Sequence, residues 1–156
     1  MFTFMTFRVK GWAHNRERIK INNSDLKVQT LALIAAITEE DGLIDYSIYP
    51  NAINTESFHA FITQLTDKLG GGDYALILDN LSVHKTKIAK HLLEKFNITE
   101  IFNVPYCPKF NGIESYFSQL EDSYKKSLLQ YVIKNIYVDT NELIKQSIES
   151  VSNENI

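Results

Sequence analysis

The period of the apolar positions changes along the chain, and the changes mark its elements. Residues 2–9 (Phe-Thr-Phe-Met-Thr-Phe-Arg-Val) are rich in aromatic and β-branched side chains and predict a strand. Gly11-Trp12-Ala13 is placed to open another after a turn. Residues 28–37 form a nearly continuous apolar run, a pattern shared by central strands and buried helices. The turn signal Glu39-Glu40-Asp41-Gly42 follows, and Ile44, Tyr46 and Ile48 then alternate, so the pair reads as a β-hairpin. The period then becomes helical: Phe58, Phe61, Ile62, Leu65 and Leu69 share one stripe. Asn54 or Thr55 can cap its start, and Gly70-Gly71-Gly72 can end it. Residues 74–78 are a short apolar strand without alternation, as expected when helices cover both faces. Residues 85–96 predict a helix, 100–104 a strand, and 105–112 a proline-bearing loop. The next helix carries Ile113, Phe117, Leu120, Tyr124 and Leu128 on one stripe. The last runs from about Asp139 to Val151, with Asp139 as cap and Glu142 in the capping-box position.

Strands first, then helix–strand–helix–strand–helix, predicts an α/β fold: a mixed sheet with an antiparallel meander on one side, parallel strands on the other, and flanking helices. Ligands of such sheets gather outside the carboxyl ends of the parallel strands, and Asp79 is predicted to lie there. The length of 156 residues fits one domain, taken as residues 1–150. Its 44% apolar and 12% aromatic content supports a real core.

A net charge of −3 does not announce a nucleic-acid binder. Two local patches say slightly more: Arg8, Lys10, Arg16, Arg18 and Lys20, and then Lys85, Lys87, Lys90 and Lys95. They permit phosphate contacts and equally suit a solvated helix face. Cys107 is the only cysteine, which excludes an intramolecular disulfide and a cysteine metal cage. No apolar run approaches the ~20 residues of a membrane span, and no signal-peptide pattern follows Met1. The expected location is therefore intracellular, nuclear in a eukaryote and otherwise cytoplasmic.

Two carboxylates carry the candidate chemistry. Asp79 ends the apolar run 74–78, where an unpaired charge is costly unless it is hydrogen-bonded, paired or metal-bound. Glu114 opens a predicted helix, with 34 residues between the two. Taken singly, Asp79 reads equally as a turn or helix cap and Glu114 as a partner of the helix dipole. Taken together, convergent carboxylates suit Mg²⁺ or Mn²⁺, which prefer oxygen ligands. Asp41, Asp45 and Asp25 fall at turn or hairpin positions and are not expected to join them. His14, His59 and His91 show no ligand spacing.

The sequence Asp79-Asn80-x-x-x-His84, followed by Tyr106-x-Pro108-x-x-Asn111-x-Ile113-Glu114, resembles the second half of the catalytic domain of mariner-like transposases of the DDE superfamily. That family has an Asp-Asn-…-His strand end, a Pro-Tyr-Ser-Pro-x-x-Asn-Pro-Ile-Glu loop and a 34-residue spacing. Gly11-Trp12-Ala13 resembles its Gly-Trp segment. The resemblance covers essentially the whole chain. It implies a ribonuclease H-like fold and Mg²⁺- or Mn²⁺-dependent DNA strand cleavage and transfer, with Asp79 and Glu114 as catalytic metal ligands. The implied partners are transposon ends, target DNA and a second copy of the chain. Asn80, His84, Lys85, Lys87, Tyr106, Lys109 and Asn111 become candidate nucleic-acid contacts. Tyr106 and Trp12 can stack on bases, although core packing is the commoner use of such rings; His84 reads equally as a helix-cap or surface residue.

The departures bear on activity. Cys107 stands where the family has Ser, Lys109 where it has Asp, and Gly112 where it has Pro. Gly112 gives up a preset helix-start φ beside Glu114. The family's first catalytic Asp lies just ahead of the segment matching Phe2 to Phe7, and nothing acidic precedes Arg8 here. The chain is therefore expected to be a copy shortened at its N-terminus, without the first strand in whole or in part and without the family's helix-turn-helix region. Metal-dependent activity is expected to be impaired. The alternative is a non-catalytic remnant serving as a nucleic-acid or protein interaction module.

Overall fold

One apolar strand, β2 (Leu31–Thr38), runs through the middle of the molecule and is covered on both faces. In this computed structural model, residues 2–4, 31–104 and 112–154 are described. The elements are β1 (Phe2–Phe4), β2, β3 (Gly42–Tyr49), α1 (Thr55–Leu69), β4 (Tyr74–Leu78), α2 (Lys87–Lys95), β5 (Ile98–Phe102), α3 (Gly112–Ile133) and α4 (Thr140–Glu154). The run at 28–37 is thus a strand where it is described, because Gly42, at φ 67°, turns the chain back on itself. Alternation along β2 sends Leu31 and Leu33 towards α3 and α4, and Ala32 towards α1. That double burial explains why the run is continuous rather than alternating.

β3 pairs antiparallel with β2, with a bulge at Ala36/Ile37: Asp45 faces Ala36, Leu43 faces Ile37, and Ile44 is the extra residue. Beyond the bulge, Tyr46 and Ile48 pack on the α3–α4 side. Asp45 falls on the α1 side, where Gln64 Nε2 donates to it at 2.8 Å and Lys68 Nζ at 3.3 Å. A carboxylate only 7% exposed is thereby committed to joining β3 to α1.

The helices start and stop where short polar side chains allow. The Asn54 carboxamide accepts from Ser57 N–H at 2.8 Å, and Gly70, at φ 75°, ends α1. Asp139 accepts from the N–H groups of Asn141 and Glu142. Two sequence boundaries move. The helix predicted from 85 begins at Lys87, because Thr86 caps it by accepting from Ala89 N–H, and a short 3-10 turn, Ser82–Lys85, precedes it. The strand predicted at 100–104 begins at Ile98, because Asn97 adopts φ 55° and turns the chain directly from α2 into β5.

β4 and β5 are parallel, with Tyr74 opposite Ile98 and Leu78 opposite Phe102, joined by α2 as parallel strands require. Among the described residues, the β1–β2–β3 and β4–β5 pairings form two separate sets. β4 also departs from the expected cover on both faces. Tyr74, Leu76 and Leu78 pack towards α1 and α2, whereas Ala75 is exposed and Ile77 is 54% exposed.

Candidate functional site

Asp79 follows the last residue of β4, at the carboxyl end of a parallel pair. Its Oδ1 accepts from His84 Nδ1 at 2.8 Å and from Leu81 N–H at 3.2 Å. Burial by itself would raise its pKa, but the opposing effects, led by the His84 hydrogen bond and including that of Leu81 N–H, outweigh the penalty and hold the carboxyl well below the usual carboxylate range. The group is therefore ionised throughout the physiological range.

His84 is 8% exposed and lies in the 3-10 turn, its ring 4.6 Å from that of Phe58 on α1. Nδ1 meets the Asp79 carboxylate and, at 3.3 Å, the Asp79 carbonyl. Both are acceptors, so Nδ1 carries the proton. A surface position, one of the sequence readings, does not hold. Phe58 covers the ring, which is committed to fixing one strand-end carboxylate. Nothing in the sequence pointed to Phe58, because the contact joins residues far apart in the chain.

Asn80 and Lys85 form a second layer. Asn80 Nδ2 donates to the Asn103 carbonyl at 2.6 Å, its Oδ1 accepts from Lys85 Nζ at 2.8 Å, and Asn103 N–H donates to the Leu78 carbonyl at 2.9 Å. The Lys85 ammonium also sits 5.4 Å from the centre of the Phe102 ring. These bonds tie the ends of β4 and β5 together and hold the Lys85 ammonium on Asn80. Lys87 is exposed at the start of α2.

Glu114 is exposed in the first turn of α3. Gly112 and Ile113, just ahead of it, line the same cleft as Asp79 and His84. Tyr106, Lys109 and Asn111, with Cys107, Pro108 and the Gly11-Trp12-Ala13 segment, lie outside the described residues. Asp79 and Glu114 offer the oxygen donors that divalent ions prefer. Among the described residues, no group of three or more His, Cys, Asp or Glu is gathered closely enough to hold a metal ion.

The model of the DDE superfamily endonucleases matches residues 2–133. The chain belongs to the DDE superfamily. Two solved structures show the fold of this DDE domain. A chain of the simian T-cell lymphotropic virus intasome in complex with PP2A regulatory subunit B56 gamma aligns with a TM-score of 0.62 at 15% identity, over 78% of the present chain and 42% of the other. The Mos1 transposase, in a paired-end complex with the left transposon end, aligns with a TM-score of 0.53 at 16% identity, over 94% and 48%. The DDE domain thus spans less than half the length of either. Its architecture is ribonuclease H-like, and the resemblance to mariner-like transposases holds. A search of curated proteins finds no match. No helix among the described residues is long and apolar enough to cross a membrane.

Proposed function

We propose that residues 1–150 form a transposase catalytic domain whose chemistry is divalent-metal-dependent cleavage and transfer of DNA strands. The observation that carries this reading is Asp79. It is an ionised, hydrogen-bonded carboxylate at the carboxyl end of a parallel strand in a domain matched by the DDE endonuclease model. Asp79 and Glu114 would hold the metal, Mg²⁺ or Mn²⁺. A metal held there would supply Lewis-acid chemistry for the attack on, and departure from, a phosphodiester. The chain's own residues supply the setting. His84 fixes the rotamer of Asp79 through its Nδ1–H. Lys85, held by Asn80, places a positive charge at the strand ends, where a DNA phosphate would lie. Lys87 extends that charge along α2. Tyr106, Lys109 and Asn111 would contact DNA from the stretch of sequence ahead of Glu114. The DNA substrates would be transposon ends and target DNA, engaged by two copies of the chain.

A second reading rests on the number of ligands. Among the described residues, no group of three or more His, Cys, Asp or Glu could hold a metal ion. On this reading the domain binds nucleic acid or protein without cutting. Calorimetric titration with Mn²⁺, beside the Asp79→Ala/Glu114→Ala double variant, tests the site. Binding that disappears in the variant supports the carboxylate pair, and equal binding in both proteins overturns it. Nicking of supercoiled plasmid in Mn²⁺ then separates the readings: cuts sensitive to the double variant favour the enzyme, and intact plasmid favours the binding module.

A further inference from the structure

α2 departs from a local electrostatic rule. The positive end of a helix macrodipole lies at the N-terminus and disfavours cations there. The first turn of α2 nevertheless holds no acid and opens on Lys87, with Lys90 following. In all, the helix carries Lys87, Lys90 and Lys95 against one acid, Glu94. α1, α3 and α4 each carry more acids than lysines, and the whole chain has a net charge of −3. Positive charge is thus gathered on one element against the prevailing sign, whereas a helix face that is merely solvated mixes both signs. Local rules broken in this way mark places where function outweighs stability.

The packing of α2 turns that charge outward. Ala89, Leu92 and Leu93 face the core shared with α1, and Lys87, Lys90 and Lys95 are exposed on the other side. Lys68 of α1 and Lys125 of α3 are held by Asp45 and Glu121, but Lys87, Lys90 and Lys95 have no carboxylate partner among the described residues. As the crossover between two parallel strands, α2 runs back from the carboxyl end of β4, where Asp79 stands, to the start of β5. At about 1.5 Å of rise per residue, Lys87 and Lys95 stand about 12 Å apart along the axis. That length matches about three to four phosphates of one DNA strand at about 3.4 Å each. We propose that the outer face of α2 is a track for the phosphate backbone of duplex DNA, leading away from the strand end that carries Asp79. This placement rests on the reading of the domain as one that acts on DNA, and it adds the path that the duplex takes. Lysines spaced along a backbone carry no base readout, so the track holds any sequence equally.

The test is the salt dependence of binding, by fluorescence anisotropy, to two unrelated duplexes of about 20 base pairs, where each phosphate neutralised adds about 0.9 to the log–log slope. The parent chain is compared with Lys90→Gln/Lys95→Gln and with Lys126→Gln/Lys145→Gln, which removes the same charge from exposed positions of α3 and α4. The α2 variant is expected to have a slope shallower by about two on both duplexes, and the control to keep the parental slope. Equal slopes in parent and α2 variant overturn the track alone, as does an equal change in both variants, which would report net charge. A parent that binds neither duplex overturns the reading of the domain as DNA-acting along with the track. Reductive methylation of the parent, read by mass spectrometry with and without duplex, checks the same surface without substitution. Shielding of Lys90 and Lys95 but not of Lys126 and Lys145 supports the track, and uniform labelling overturns it. All titrations contain EDTA, so metal binding enters neither readout.

Discussion

At the residue scale, Asp79 couples chemistry to stability. Its folded pKa lies below the ordinary 3.8, so the ionised form stabilises the fold at all pH values above the ordinary value. That contribution is lost as pH falls from the unfolded towards the folded value. Asp79→Asn should therefore unfold more easily than the parent at pH 7. The gap should narrow progressively from about pH 5 to about pH 2 in urea melts, and a constant gap would contradict the assignment. His84→Ala removes a buried donor to that carboxylate and the packing against Phe58. It should cost about 1–3 kcal/mol and raise the pKa of Asp79, read by carboxyl chemical shifts on acid titration. The position of Asp79 was legible in sequence, because an acid closing an apolar run marks a strand end. The ring over which His84 packs was not, because Phe58 belongs to another element.

At the scale of the element, the local signals carried most of the structure. The turn at 39–42, the Asn54 and Asp139 caps and the Gly70 stop all act within a few residues of their partners, so a short stretch of sequence contains them. Thr86 is the cap that resets the start of α2, and its hydroxyl accepts from Ala89 N–H at 3.1 Å. Thr86→Ala should cost about 1 kcal/mol, and Thr86→Ser should restore most of it, both read as shifts in urea midpoint. Since Lys85 and His84 sit just ahead of that cap, local fraying in Thr86→Ala should also speed exchange in the turn Ser82–Lys85.

At the scale of the whole molecule, two apolar cores share one strand. Leu31 and Leu33 belong to the core under α3 and α4, and Ala32 to that under α1 and α2. A lesion on one side is therefore felt on the other through β2. Leu120→Ala, at a fully buried site of α3, should cost about 2–5 kcal/mol. Amide exchange in α1 should accelerate alongside that in α3 if the two cores unfold as one unit. Acceleration confined to α3 and α4 would show two independent units instead.

By itself the sequence determined the order of the described elements, the hairpin, the caps at Asn54 and Asp139 and the placing of Asp79 at a strand end. Each of these rests on periodicity or on hydrogen bonds spanning a few residues. Tertiary structure decided what no local pattern encodes. An apolar strand such as β4 looks the same whether one face or both are covered, and only distant helices settle that Ala75 and Ile77 are left exposed. The cleft between β2 and β4 was hidden for the same reason. A strand edge is backbone, and whether its N–H and C=O groups find a partner depends on which other segment lies beside it, not on the side chains it carries.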